Sequence, residues 1–277
     1  MMNIIEALEH GSQCLTESES PDIDSQYLLC HVLACTTTHL LTWPDTSLTP
    51  QQQENYMALL EQRHQGRPIA HLTGQRGFWT LDLNVNVDTL IPRPDTEIIV
   101  SMALEKIQAN MIIADLGTGS GAITLALASE RPDIQLLAMD YACGALKVAQ
   151  DNAKQSQISN VVFWQGDWLT AIADNTLDMI VSNPPYIAQN DPHLKQGDVR
   201  FEPLTALVSG QDGLMDIRII IEQARRCLKP KGWLFIEHGY EQAHLVASIF
   251  RQATFEHVSS VKDYGGNDRI TMGQLPL

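Results

Sequence analysis

Apolar residues between position 110 and the C-terminus fall into short runs at 111–115, 135–140, 161–165, 177–182, 232–238, 257–264 and 269–274. Runs of this length, bounded by turn residues, read as strands. Helical stretches separate the first five, as parallel crossover connections require. Gly265-Gly266-Asn267-Asp268 joins the last two in a tight reversal, so the final strand is expected to run antiparallel. The pattern predicts an α/β fold built on a Rossmann-like, mostly parallel sheet. Upstream the period changes. Residues 22–34 and 49–65 carry helical apolar spacing, with Pro21 and Pro50 near the helix starts and Ser20 and Thr49 as cap candidates. From 75 to 87, Phe78, Leu81, Leu83, Val85 and Val87 alternate with other residues, which predicts a β-hairpin connector. The expected division is a small helical N-terminal domain (1–75), a hairpin linker (76–94) and an α/β domain (95–277).

Length and charge sharpen this picture. A chain of 277 residues is long enough that one core commonly gives way to two domains. Its 18 basic and 33 acidic residues leave a formal net charge of −15 with no basic run. Proteins that grip phosphate backbones cluster Lys and Arg, so duplex DNA is disfavoured and no nucleic-acid substrate is expected. No apolar stretch approaches the roughly 20 residues of a membrane-spanning helix, and the first residues lack a cleavable signal pattern. Cys14, Cys30, Cys35, Cys143 and Cys227 form no C-x-x-C pair and read as reduced thiols of a cytoplasmic protein. The nine histidines show no ligand spacing, so no metal is expected. His238 reads as a structural strand-end residue.

Two motifs carry candidate chemistry. The run 177–182 leads directly into Asn183-Pro184-Pro185-Tyr186. Consecutive prolines hold a rigid turn at a strand end. The Asn183 amide carbonyl and the Pro184 backbone carbonyl are acceptors that could bind both hydrogens of a planar NH2 group, with Tyr186 stacked on its face. Upstream, Asp115-Leu116-Gly117-Thr118-Gly119-Ser120-Gly121 joins a strand to an Ala/Leu-rich helix. The glycines let backbone approach a ligand, and the helix start offers unpaired N–H groups. Asp140 ends the next strand, 19 residues beyond Gly121, where a doubly wound fold places a carboxylate for ribose hydroxyls. The spacing is G-x-G-x-G, unlike the dinucleotide fingerprint G-x-G-x-x-G. Asp115 before the loop suits a ligand with a cationic amino group, and S-adenosylmethionine combines such a group with a ribose and an adenine. Asp167 and Trp168, after the strand 161–165, fit an adenine pocket.

With these motifs the chain resembles class I S-adenosylmethionine-dependent methyltransferases that act on a conjugated nitrogen. Three further stretches, 90–97 (LIPRPDTE), 197–204 (GDVRFEPL) and Glu237-His238-Gly239, resemble one family, the bacterial protein-(glutamine-N5) methyltransferases that modify peptide-chain release factors. The resemblance spans residues 20–277. It implies methyl transfer to the glutamine of a Gly-Gly-Gln loop, with release factors as protein partners. It also implies that Gly117, Thr118, Gly119, Ser120, Gly121, Asp140, Trp168 and Asn183 face the cofactor. Asn183, Pro184, Pro185 and Tyr186 would face the glutamine. Tyr141 after Asp140 is a slight departure from the pattern. N6-adenine methyltransferases share the Asn-Pro-Pro-Tyr solution and stand as the alternative. The segment 187–212 exceeds ordinary loop length, and Phe201, Pro203, Leu204 and Leu207 argue against disorder. It is expected to wall the substrate channel, with Asp198, Arg200 and Glu202 braced internally or facing the partner. The stretch Arg93, Asp95, Thr96, Glu97 either caps a helix or closes over the cofactor.

Overall fold

A computed structural model describes residues 2–277. Two compact units are present. The first contains the chain up to Gln75 and the segment Lys195–Phe201. Its helices are α1 (Ile4–Cys14), α2 (Pro21–Leu33), α3 (Thr37–Thr42), α4 (Pro50–His64) and α5 (Ile69–Thr73). Ile4, Leu15, Leu28, Leu29, Leu48, Tyr56 and Leu60 are among the residues of its core. Reciprocal side-chain and backbone bonds start α1 at Asn3 with Glu6, and α4 at Thr49 with Gln52. Ser20 precedes α2 but makes no capping bond there; its hydroxyl reaches Asp24 instead. Gly11 sits inside α1 because a Cβ there would collide with the Tyr56 hydroxyl and Ser25. Arg63 pairs with Asp24 at 2.7 Å and with Asp198 at 3.5 Å, which ties 195–201 into this unit.

The second unit runs from Arg76 to Leu194 and from Glu202 to Leu277. A two-stranded hairpin, β1 (Gln75–Phe78) and β2 (Leu81–Asn84), leads into α6 (Glu97–Leu104). There follow β3 (Ile112–Leu116), α7 (Ala122–Glu130), β4 (Gln135–Asp140), α8 (Cys143–Gln155), β5 (Val161–Gln165) and β6 (Leu177–Ser182). The chain closes with α9 (Met215–Cys227), β7 (Leu228–Glu237), α10 (Ala243–Gln252), β8 (Glu256–Lys262) and β9 (Asp268–Gln274). The seven-stranded sheet has the order β5-β4-β3-β6-β7-β9-β8. Neighbours from β5 to β7 are parallel, and β9 is antiparallel to both strands beside it. The α/β sheet with an antiparallel last strand is therefore as expected. One detail differs: no helix joins β5 to β6, and residues 166–176 cross by turns alone. Segment 187–212 contains short 3-10 turns and one parallel bridge, Ile187 with Val208.

Apolar clusters cover the sheet. Ile113, Leu136, Met179, Val181 and Phe235 join the cluster formed with α6 and α7. Ala114, Leu116, Ile180, Leu234 and Ile236 join the one formed with α9 and α10. The strand order turns at β3, whose neighbours are β4 and β6. Loops leaving those strand ends diverge and open a crevice, the usual ligand position in such sheets.

Candidate active site

The carboxyl ends of β3, β4, β5 and β6 lie in register, with Leu116 opposite Met139 and Ser182, and Asp140 opposite Gln165. A cavity of about 330 Å³ opens over them, within the size range of small-molecule sites. Gly117, Gly119, Asp140, Asp167, Trp168, Asn183 and Pro185 line it. Four separate strand ends thus bring these sequence-chosen residues together.

Backbone conformation explains the glycine loop. Gly117, Gly119 and Gly121 have φ values of +72°, +57° and +86°, a region L side chains rarely adopt. A Cβ on Gly119 would meet nothing within 4 Å, so its backbone faces open space. A Cβ on Gly117 would come within 3.7 Å of the Trp168 ring. Gly121 serves packing instead, since a Cβ there would press Leu125 at 3.1 Å and Ala149 at 3.3 Å. Thr118 and Ser120 are buried. The Thr118 hydroxyl donates to Asp115 Oδ2 at 2.7 Å, and Thr124 donates to the same atom at 2.6 Å. Thr118, Ser120 and Gly121 therefore shape the loop rather than line the cavity. Burial pushes the Asp115 carboxyl up to about 6 despite both hydroxyls. Its Oδ1 is buried without a hydrogen-bond partner among the described residues.

Asp140 accepts from Gly119 N and from Ala142 N, each at 2.8 Å, with one oxygen apiece. Burial raises its pKa and these backbone bonds oppose the rise. The Tyr141 N–H acts in the same sense, so of the carboxylate's roughly four acceptor sites about one stays open. Trp168 holds a left-handed backbone, φ +48°, and Leu169 N is pinned to Gln223 Oε1 at 2.7 Å. Asp167 is exposed at the rim.

The Asn183–Tyr186 turn is anchored at both ends. Ser182 Oγ donates to Leu116 O at 2.7 Å, and Gln242 Nε2 donates to Tyr186 O at 2.9 Å. Asn183 Nδ2 donates to Thr96 Oγ1 at 3.2 Å. Pro184 is buried, and Tyr186 packs on the apolar cluster that contains Leu116 and Ile236. Burial raises the Tyr186 phenol pKa, and the charge of Glu237 adds to the rise.

Several residues of the site carry no assignment from the sequence. Glu237 is 1% exposed at the end of β7, and its pKa is pushed up to about 7 by burial. A hydrogen bond from Thr96 and the nearby Arg269 and Arg93 charges oppose that rise, while Asp95 adds to it. Asn152 on α8 holds Asn84 through both backbone groups and donates to Ser120 O at 2.9 Å. Of the ambiguous residues, Glu202 accepts from Arg93 at 2.7 Å and from Ile91 N at 3.0 Å, an internal brace. Asp198 pairs with Arg63, and Arg200 lies 4.9 Å over the Phe201 ring. A strand-end acid is the available signal for Glu237; Asn152, inside an amphipathic helix, gives none.

Comparison with known proteins follows the same lines. Residues 6–74 match the family model described as the PrmC N-terminal domain, and residues 107–270 match a methyltransferase domain. The release factor glutamine methyltransferase of Aliivibrio fischeri is 47% identical over 277 residues, covering 99% of this chain and 98% of that protein. That of Escherichia coli K12 is 50% identical over 261 residues, 94% of each chain. A solved methyltransferase from Pyrococcus furiosus superimposes with a TM-score of 0.55 at 17% identity, covering 81% of this chain and all of that one, and so shares the fold. With such identity along nearly the full length of both chains, the protein belongs to the release factor glutamine methyltransferase family.

Proposed function

We propose that the protein, a cytoplasmic enzyme, transfers a methyl group from S-adenosylmethionine to the side-chain amide nitrogen (N5) of the glutamine in the Gly-Gly-Gln loop of release factors, and so supports translation termination. The observation that carries the reading is Asn183, which lines the same cavity as the glycine loop and Asp140. The cavity's donors and acceptors fit the cofactor. Asp140 keeps an open acceptor for the ribose, while Asp115, 1% exposed and outside the cavity lining, fixes the loop through Thr118 and Thr124. Gly119 leaves room beside the backbone, and Asp167 with Trp168 suits the adenine. Bound there, S-adenosylmethionine supplies an electrophilic methyl group on a sulfonium centre.

The protein's part is positioning. An amide nitrogen is scarcely basic because its lone pair is delocalised, so no general base is needed before attack. As the N–C bond forms and the sulfonium C–S bond breaks, the surplus amide proton would pass to water, with S-adenosylhomocysteine as the other product. Asn183 Oδ1 and the Pro184 carbonyl accept the two amide hydrogens and favour the positive charge that develops on nitrogen. Holding reactants at near-attack distance supplies about 7–11 kcal/mol. The N-terminal unit, which holds none of these residues, recognises the release factor.

Asn183→Ala tests the reading. Single-turnover transfer to release factor at saturating cofactor should slow by about 10²–10³-fold, as for a lost oxyanion-hole donor, with the thermal melt little changed. A near-normal rate in the folded variant refutes the amide clamp. Tritiated methyl groups offered in parallel to release factor and to nucleic acid should enter the protein alone; label in nucleic acid would favour adenine N6 chemistry.

A further inference from the structure

We propose that Thr96 and Glu237 are positioning residues for methyl transfer: Glu237 takes the single hydroxyl hydrogen of Thr96, which then receives the Asn183 NH2 and fixes which end of that amide faces the substrate. This rests on the reading of Asn183 as the amide clamp. The two ends of an asparagine side chain are nearly identical in shape but opposite in hydrogen bonding. Turned one way, Asn183 offers an acceptor to the glutamine NH2. Turned the other way, it sets NH2 against NH2 and the clamp fails.

Threonine by itself cannot make the choice, because a hydroxyl both donates and accepts. An ionised carboxylate only accepts. The Thr96 side chain hydrogen-bonds Glu237, and that use of its one hydrogen leaves only lone pairs for Asn183. Asn183 Nδ2 occupies one of them at 3.2 Å, which turns Oδ1 away from Thr96. The sheet sets the relay in place: Ser182 pairs with Ile236, so positions 183 and 237 leave adjacent parallel strands together.

The burial of Glu237 has no evident structural return. It is 1% exposed and its Oε2 lacks a hydrogen-bond partner among the described residues, a costly arrangement for a carboxylate. Arg269 is held by Asp263 at 2.9 Å, and Arg93 by Glu202 at 2.7 Å. Those two cations, Asp95 and the Tyr186 phenol are the charged and titratable groups that face it. The carboxyl is pushed up to about 7, so it gains a proton, and loses its purely accepting character, just below neutrality.

The experiment is single-turnover transfer to intact release factor at saturating cofactor, with S-adenosylhomocysteine affinity and thermal melts alongside. Thr96→Val should slow transfer by about 10–100-fold, the usual cost of losing an outer partner that orients a working group. Thr96→Ser should restore it. In an Asn183→Ala background Thr96→Val should add nothing, because Thr96 acts through Asn183. Glu237→Gln retains a carbonyl acceptor without the titration, so the fall in wild-type rate as pH drops through about 7 should vanish in that variant. A wild-type rate in folded Thr96→Val, failure of serine to rescue, additive losses with Asn183→Ala, or the same acid limb in Glu237→Gln would each overturn the proposal. If Asn183→Ala is slow and Thr96→Val is not, the relay alone falls. If Asn183→Ala is unaffected, the clamp falls and the relay with it.

Discussion

Asp140 and Glu237 are both acids that close a parallel strand, yet only the first can be assigned from the sequence. Asp140 follows the glycine loop at a spacing with a known geometric meaning. Glu237 acquires its role from Thr96, which comes to it from a distant part of the chain and links it to Asn183, and no local pattern records that meeting. The consequences of removing the two differ. Asp140→Ala deletes a charge-assisted acceptor and frees Gly119 N and Ala142 N, so S-adenosylhomocysteine should bind roughly 1.5–3 kcal/mol more weakly by calorimetry. Unchanged affinity would remove Asp140 from the site. For Glu237 the sign runs through linkage. Its folded pKa is raised from 4.5 to about 7, so its contribution to stability is full below 4.5 and is lost as pH rises through about 7. Glu237→Gln should therefore gain melting temperature relative to wild type across that window and level off above it. A constant difference from acid to alkaline pH would mean that the carboxyl is not held as the structure shows.

At the scale of elements, legibility follows the regularity of the local pattern. The bounds 135–140, 161–165 and 177–182 read from the sequence coincide with β4, β5 and β6; β4 and β6 are short buried apolar runs, while the edge strand β5, with no buried residue, is legible from its β-branched and aromatic composition. Helix α1 carries Ile4, Ala7 and Leu8 at helical spacing and a capping box at Asn3 and Glu6, signals of a helix that the reading of the chain leaves unused; Gly11 in its interior makes sense only once Tyr56 is seen against it. The turn-only crossing from β5 to β6 reads as helical because nothing in 166–176 forbids a helix in the way that proline at its centre would. Elements also meet at Asn152, which fastens α8 to β2 and to the glycine loop. Asn152→Ala would orphan the backbone groups of Asn84 and the carbonyl of Ser120. We expect a loss of roughly 1–3 kcal/mol in denaturant melts, accompanied by weaker cofactor binding. A stable variant with normal binding would show that water replaces these bonds without cost.

Across the whole molecule, the residues assigned to the cofactor lie beyond position 110, while the N-terminal unit has its own core and no place in that chemistry. Its surface exposes Leu41 at 78% and Trp43 at 59%, both at the end of α3. If this unit reads the release factor, replacing both by serine should raise KM for the intact factor while S-adenosylhomocysteine affinity and the thermal melt hold steady. An unchanged KM would move recognition elsewhere. The acidic balance of the chain, −15, supports a protein partner rather than a phosphate backbone. The order of the sheet has a separate consequence for how the molecule is made. The strand synthesised last, β9, is an interior strand, inserted between β7 and β8. Until it arrives, β7 presents a bare edge, and Arg269, which sits on β9 and tempers the charge of Glu237, is not yet in place. The loop around Asp140 is held by Gly119 and Ala142 at the ends of β3 and β4, whereas the wall behind Asn183 closes only with residues 268–274. Pairing of 268–274 with β7 is therefore the step that completes that wall, and it draws on residues later in the chain than any that line the cavity.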